Sequence, residues 1–504
     1  MVTVNVAGPL IDVPDPYFPL NPSLRRVNTQ AEVHIPLRQY PFRVLSLTLP
    51  FFRQGTIEEL SDEVLRIIFC YFLDASPRFW PRLVHICRRW RRMVFESQRA
   101  LNLHLFCTHG TPVLKTLECW PALPIVVEYG GYPARDPLPP EDEDNIMDAL
   151  RHCDRIRSIS LTVTFSLLER FYAIEGPFSE LEDLVLLSQD GVRLTLPSTF
   201  QLGSRLRSLH LTGIVPLGLP QLLSSSKGLV DFQLHKIPGI ESLSPKSLLN
   251  ALSGITQLRS LSLQFLPTTA FVMVHPPPGH RVVLPTLTSL QCTIESLKDL
   301  LASIDAPRLK DVKFSFSNWP IFGISNLPVI RREMQMSYRR SDILFSDRSV
   351  TISLTQPAST CLKWQVFSES FSYQLSSMAH ICTLFSTFLS CVEDLCISAT
   401  QPPSGKDDRD REEWFKLIHS FSGTKWLHIA GDSDITTDIV LSLKSSRTVL
   451  PVLHKLYVQE PESRYAPLPG AVVLFMNSRW LSGHFIGVEY ERINQLGGIG
   501  AMFV

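Results

Sequence analysis

The chain has 504 residues, of which 44% are hydrophobic and 19% are charged, a composition typical of a protein with a large folded core. Lysine and arginine number 48, and aspartate and glutamate also number 48, so no net charge attracts nucleic acid or an anionic membrane. No apolar run approaches the roughly 20 residues that span a bilayer, and the N-terminus lacks the pattern of a secretory signal. The ten cysteines form no C-x-x-C pair, which predicts buried, reduced thiols in a cytoplasmic or nuclear protein.

Residues 1–55 contain eight prolines and little sustained periodicity. Pro fixes the backbone and removes an amide donor, so this composition predicts an irregular or weakly ordered segment. Residues 56–100, in contrast, have the pattern of a small helical domain.

The first predicted helix of that domain, within IEELSDEVLRIIFCYFL, carries two apolar stripes. One stripe comprises Leu60, Val64, Ile67, Ile68 and Tyr71. The other comprises Leu65, Phe69, Phe72 and Leu73. Together the stripes cover roughly two-thirds of the helix circumference. A unit of about 40 residues cannot bury that much apolar surface alone, so either the rest of the chain or another protein must cover one stripe.

The second predicted helix carries one apolar face and an arginine cluster. The face comprises Leu83, Ile86, Cys87, Trp90 and Val94. Arginines at positions 88, 89, 91 and 92 occupy the remaining circumference. The neutral balance of the chain favours a solvated helix face over a nucleic-acid patch for this cluster.

Residues 101–150 are predicted to form a connecting region with two short apolar runs, LNLHLF and PIVVEYG. The proline-rich and acidic stretch at 136–144 predicts a loop or linker, and a helix is expected to begin near Ile146.

From residue 151 onward the chain repeats the pattern L-x-x-L-x-L, with substitutions. Successive copies start at Ile156, Leu181, Leu206, Leu229, Leu258, Leu287 and Leu309, and the pattern resumes at Val392, Leu427 and Leu453. Between 318 and 390 it is weak, and the best candidate is the alternation of Val350, Ile352 and Leu354. Alternating apolar residues predict short strands with one buried face. The segments LPQLLSSSKG, PKSLLNALSG and IESLKDLLASI are predicted to return the chain as helices, which gives a parallel-stranded solenoid over 151–504.

Patterns associated with catalysis or metal binding are weak in this sequence. Residues 405–413, GKDDRDREE, predict an exposed loop, and Arg331, Arg332, Arg339 and Arg340 predict a solvated surface. Cys382, Cys391 and Cys396 with His380 lack a zinc-site spacing. No phosphate-binding Gly-Lys loop, nucleophile elbow or H-E-x-x-H motif is present. We therefore predict a non-catalytic protein that needs no cofactor and no metal.

The opening helix and the HICRRWRRM segment resemble an F-box, the module that attaches substrate receptors to the Skp adaptor of SCF-type ubiquitin ligases. The residues that carry this resemblance are Leu60, Glu63, Val64, Leu65, Ile68, Phe69, Cys87, Trp90 and Arg91. Ser61 stands where this family has proline. The sequence after this unit resembles F-box proteins of mushroom-type fungi, and residues 151–504 resemble leucine-rich repeats. Ile214, Ile237 and Leu266 replace the Asn or Cys of the common repeat.

These resemblances imply an α/β protein with a small helical F-box followed by an irregular leucine-rich-repeat solenoid. The F-box would dock on a Skp-type adaptor, and the repeats would hold an unknown protein substrate, with no role for nucleic acid or membrane. The adaptor-binding residues implied by the resemblance are Leu60, Val64, Leu65, Ile68, Phe69 and Trp90. The alternative is a repeat scaffold in which the F-box-like helices only cap the solenoid, because terminal repeats need capping.

Overall fold

A computed structural model describes most of the chain beyond residue 58, and the described residues form two compact units that divide between residues 157 and 158. The described residues are 59–75, 80–96, 102–120, 122–130, 138–174, 176–189, 194–197, 200, 202–238, 245–266, 281–293, 301, 303–316, 338–356, 361–400, 408–431, 433–445, 449–461, 470–493 and 499–503. The predicted irregular segment 1–55 lies outside them.

The first unit begins with three helical segments. They are α1 (Asp62–Ala75), a 3-10 helix (Trp80–His85) and α2 (Arg88–Glu96). Ser61 caps α1, since its carbonyl accepts the Leu65 amide at 3.0 Å and its hydroxyl lies 3.4 Å from the Val64 amide. Asp62 and Glu63 occupy the first turn of α1, where the helix dipole favours carboxylates.

The second predicted helix is shorter than its periodicity suggested. The 3-10 helix ends at His85, and α2 starts only at Arg88, so the helical wheel does not continue through the predicted face. Ile86 and Cys87 are exposed as a result, whereas Met93 and Val94 are buried. The predicted face was therefore wrong at Ile86 and Cys87.

The rest of the first unit alternates strands and helices. The elements are β1 (Leu103–Phe106), α3 (Val113–Cys119), β2 (Ile125–Tyr129) and α4 (Pro140–Leu150). The two predicted apolar runs form β1 and β2, which pair in parallel. The predicted acidic loop was wrong over 140–144, because Pro140 and three carboxylates fill the first turn of α4. Proline at this position loses no helical bond, and carboxylates complement the helix dipole.

In the second unit, seven strands pair in parallel in chain order. They are β3 (Ile156–Val163), β4 (Asp183–Ser188), β6 (Ser208–Thr212), β8 (Asp231–Pro238), β9 (Ser260–Leu266), β11 (Ser289–Thr293) and β13 (Asp311–Phe316). The repeated apolar residues face each other across these strands: Leu184 pairs with Leu209, Leu209 with Phe232, and Phe232 with Leu261. All four are buried, so one face of the sheet forms a continuous apolar core.

Shorter elements return the chain between these strands. They include α5 (Phe165–Tyr172), α6 (Leu219–Ser224) and α7 (Pro245–Ser253), and two small parallel pairs, β5 (Leu194–Leu196) with β7 (Ile214–Pro216) and β10 (Val282–Val283) with β12 (Ile304–Asp305). Helices α6 and α7 lie where two return helices were predicted. Most of the third predicted return helix, from Ile294, lies outside the described residues.

The middle of the sheet reverses the chain order of its strands. Strand β16 (Cys361–Phe367) pairs in parallel with β13. Strand β15 (Ser349–Thr355) lies between β16 and β14 (Arg340–Ser346) and pairs antiparallel with both. Strand β14 then pairs in parallel with β17 (Asp394–Ala399). The predicted alternation of Val350, Ile352 and Leu354 lies in β15. Strands β14 and β16 were missed, because neither carries the leading leucine of the repeat.

Beyond the reversal, the parallel pairing resumes, and one antiparallel pairing follows at the end. The remaining elements are α8 (Phe371–Leu384), α9 (Ser386–Leu389), α10 (Asp408–His419), β18 (Trp426–Ala430), α11 (Ser433–Ser445), β19 (Lys455–Pro461), α12 (Gly470–Leu481), β20 (Gly487–Ile493) and β21 (Ile499–Phe503). The predicted loop at 405–413 was wrong from Asp408, where α10 begins. Asp410 is buried in this helix and accepts a hydrogen bond from the Ser372 hydroxyl at 3.0 Å. The described residues thus form a mixed α/β protein with a large, mostly parallel sheet.

Gly423 lies where two backbone segments meet before β18. A Cβ atom at this position would overlap the carbonyl oxygen of Ser390, in the segment that precedes β17. The close approach of these two segments therefore depends on a residue without a side chain.

Candidate functional site

One apolar stripe of α1 lies at the surface. Val64 and Ile68 are each 42% exposed, Ile67 is 70% exposed and Tyr71 is 67% exposed. These four residues are called the α1 face below. Leu60, which precedes the helix, is half-buried. Four large apolar side chains on one side of a 14-residue helix form a contiguous surface of the kind that binds other proteins.

The other stripe packs inside the first unit. Leu65 is fully buried and Phe69 is 4% exposed. The Phe69 ring meets the half-buried Trp90 ring edge to face, with 4.7 Å between centroids, so α2 covers this side of α1. Of the six predicted adaptor-binding residues, Val64 and Ile68 are thus exposed, Leu60 and Trp90 are partly exposed, and Leu65 and Phe69 lie in the core.

Ile67 and Tyr71 are the most exposed members of the α1 face, and the predicted set of binding residues omitted them. Their position on the same stripe as Val64 and Ile68 was the available signal. The resemblance to a known family directed attention instead to Leu65 and Phe69, which the sequence alone could not assign to the core.

An ionic contact fixes the start of α1 against α2. The Arg89 guanidinium donates to one Asp62 carboxylate oxygen through Nε at 2.9 Å and Nη2 at 2.7 Å, and Arg92 lies 3.7 Å from the other oxygen. The hydrogen bond from Arg89 is the main cause that lowers the pKa of Asp62. Arg89 also donates to the Leu60 carbonyl at 2.5 Å. Part of the arginine cluster therefore orients the helix that carries the α1 face.

A second candidate surface is the side of the large sheet opposite the buried leucines. One residue from each of fourteen strands lies in cross-strand register along it. This central row is Ser160, Val185, His210, Gln233, Ser262, Gln291, Lys313, Lys363, Ser353, Asp342, Cys396, His428, Tyr457 and Glu489. Nearly all of its members are polar and half-buried, so the surface offers hydrogen-bonding groups rather than apolar area.

At one end of the central row, two histidines lie together. The rings of His210 and His235 are 5.0 Å apart between centroids, and His235 Nε2 lies 2.7 Å from the Ser262 hydroxyl. Burial, with a further contribution from His210, lowers the pKa of His235 to about 4, although Asp231 acts in the opposite direction. His235 is therefore neutral at physiological pH and serves as a hydrogen-bonding group.

At the other end, the charges are paired. Arg340 donates to Asp342 at 2.9 Å, and Lys455 forms an ion pair with Glu489. The His428 and Tyr457 rings stack with 4.2 Å between centroids. These contacts give this part of the sheet a defined shape without apolar packing.

The remaining arginines and cysteines singled out in the sequence form no further candidate site among the described residues. Arg339 donates to Glu393 at 3.2 Å, whereas Arg331 and Arg332 lie outside the described residues. Burial raises the pKa of the Cys382 thiol. Within the part of the chain that the structure describes, no three His, Cys, Asp or Glu side chains are grouped to hold a metal ion.

Within the same described part, no helix combines the length and apolar character needed to cross a membrane. A scan against protein-family models finds no match, and a search of curated proteins finds no similar sequence. The α1 face and the central row are therefore the two candidate functional surfaces of the described residues.

Proposed function

We propose that this chain is the substrate-recognition subunit of an SCF-type ubiquitin ligase. In this proposal the first unit contains an F-box that binds a Skp-type adaptor, and the second unit is an irregular leucine-rich-repeat solenoid that binds a target protein. The chain would catalyse no reaction itself. It would raise the effective concentration of the target near the ubiquitin-transferring enzyme, in the cytoplasm or the nucleus.

The observation that supports this function most strongly is the division of α1 into two stripes with different burial. The helix uses Leu65 and Phe69 for its own core and leaves Val64, Ile67, Ile68 and Tyr71 exposed. Within the first unit, the α1 face is left exposed, as docking on a partner requires. The alternative of a capped scaffold would require the second unit to cover this face.

The mode of docking follows from the geometry of the face. Apolar side chains spaced three and four residues apart on one helix are the anchors of helix-in-groove recognition. Burying them on a partner removes apolar surface from water, which stabilises the complex by roughly 25 cal/mol per Å² before the costs of association. The Asp62–Arg89 contact holds the start of the helix in place and so limits the ordering cost.

The test is direct binding of the full chain to a purified Skp-type adaptor. We expect an Ile67→Ala, Ile68→Ala double variant to bind about 30-fold more weakly, because truncating two anchors removes about 2 kcal/mol. The matched control is Phe165→Ala, which truncates an apolar side chain that is 58% exposed on α5. Wild-type affinity in the double variant, or no binding by the wild-type chain, would contradict the proposal.

A further inference from the structure

Two lysines face each other in the middle of the central row. Lys313 on β13 pairs directly with Lys363 on β16, and both are half-buried. Adjacent strands lie about 4.8 Å apart, so the two stems start side by side. Like charges placed directly opposite each other destabilise a sheet. The strand reversal creates this contact, because it inserts β16 next to β13.

The lysine pair differs from the other charged members of the central row. Asp342 is paired with Arg340, and Glu489 with Lys455. No carboxylate among the described residues forms an ion pair with Lys313 or Lys363. Burial, together with the charge of Lys363, lowers the pKa of Lys313. The free chain therefore keeps two positive charges close together at a site where an added negative charge is favourable.

The neighbours of the pair are mostly neutral hydrogen-bonding groups. Gln291 on β11 and Ser353 on β15 flank the two lysines in the row. Ser315 follows Lys313 by two residues on the same side of β13 and is buried, and its hydroxyl has no hydrogen-bond partner among the described residues. Asp311 precedes Lys313 by two residues and supplies one negative charge against the two positive ones. The surroundings of the pair therefore carry less negative charge than the two lysines carry positive charge.

We propose that the Lys313–Lys363 pair binds an acidic segment of the protein partner of this sheet face. This inference rests on the proposed function, because it assumes that the second unit holds a target protein. A glutamate or aspartate carboxylate between the two amines neutralises their repulsion and accepts charge-assisted hydrogen bonds. Asp231 on β8, Asp311 on β13 and Asp394 on β17 distribute negative charge along the sheet. A continuous phosphate backbone laid across these strands would meet that charge, so a short acidic peptide at the lysine pair is favoured over nucleic acid.

The experiment is selection from a library of random displayed peptides on the immobilised full chain, without adaptor. Three proteins are compared: wild type, a Lys313→Ala, Lys363→Ala double variant, and a Lys227→Ala, Lys246→Ala control. The control removes the same charge from two exposed lysines away from the sheet strands. We expect aspartate and glutamate to be enriched at least threefold in peptides selected by wild type and control, with the enrichment lost in the double variant.

A selected peptide then tests the contact directly. Fluorescence anisotropy should give a dissociation constant at least tenfold larger for the Lys313→Ala, Lys363→Ala variant than for wild type. A peptide whose acidic residues are changed to amides should bind the wild-type chain with a similarly increased dissociation constant. A Lys313→Glu, Lys363→Glu variant should instead select basic peptides. No acidic enrichment by wild type, or equal enrichment by the double variant, would overturn the inference.

Adaptor binding of the same variants separates the two proposals. If acidic selection fails while adaptor binding persists, only the acidic-partner inference falls. If adaptor binding fails while acidic selection depends on Lys313 and Lys363, the ligase proposal falls and the peptide site stands.

Discussion

The two stripes of α1 predict opposite responses to the same kind of truncation. Leu65 is fully buried, so Leu65→Ala removes methyl and methylene groups from a packed core and leaves a cavity. The expected cost is about 2–5 kcal/mol of local stability. Ile67 is 70% exposed, so Ile67→Ala should change stability by no more than about 0.5 kcal/mol. The difference between the two variants therefore measures whether the α1 face is free in the isolated chain.

Hydrogen exchange of peptides that cover α1 is the appropriate assay, because a chain with two compact units does not unfold in one step. A loss of 2 kcal/mol corresponds to about 30-fold faster exchange in Leu65→Ala, since each 1.4 kcal/mol is a factor of ten. Exchange in Ile67→Ala should stay within about twofold of wild type. If Ile67→Ala accelerates exchange as much as Leu65→Ala does, the chain itself covers this face, and the cap alternative explains the helix better.

Two further predictions concern the second unit. Gly423→Ala should lower the stability of the second unit by at least about 2 kcal/mol in urea unfolding, because the new methyl group meets the Ser390 carbonyl. The control Gly254→Ala makes ordinary contacts only and should be nearly neutral. Equal effects of the two substitutions would contradict this packing. His235 has its pKa lowered to about 4 by burial and by His210, so its neutral form is favoured in the folded state and stability falls as pH drops from about 6.5 towards 4. After allowance for its partial exposure, His235→Gln should remove about 1–2 kcal/mol of the stability difference between pH 7 and pH 4.5, and an unchanged difference would argue against a buried neutral imidazole.

The strands of the parallel repeats were predictable because their physics is local. A leading leucine and two alternating apolar residues specify where a short strand begins and which side is buried, as at Leu206, Leu209 and Leu211. Each repeat then pairs with its neighbour in sequence, so the register needs no long-range information. The same pattern correctly predicted which residues form the buried face of the sheet from β3 to β13.

The strand reversal was not predictable by this route. Strand β16 pairs with β13 across a separation of 50 residues, from 313 to 363, and alternation alone does not say which partner a strand selects. The contact between Lys313 and Lys363 depends wholly on that choice. The prediction of a loop at the acidic start of α4 was wrong for a different reason. Proline and carboxylates suit both a loop and the first turn of a helix.

In α1, periodicity identified two stripes but not their environments. Both stripes have the spacing of a buried face, and only the position of α2 decides between them. Trp90 packs on Phe69, and Arg89 binds Asp62, so the side that contains Leu65 becomes the core. A short helix with two apolar faces thus has one assignment only when its neighbour is known.

The two candidate surfaces are suited to different tasks in recognition. The α1 face offers apolar side chains, whose burial contributes affinity to any partner with a complementary groove and depends little on salt. The central row offers half-buried polar groups, and a wrong partner would leave these groups desolvated and unpaired, at about 1–3 kcal/mol each. Polar recognition of this kind discriminates between partners more than it contributes affinity. In the proposed function, a constant adaptor would therefore bind the α1 face, and a selected target would bind the row that contains Lys313 and Lys363.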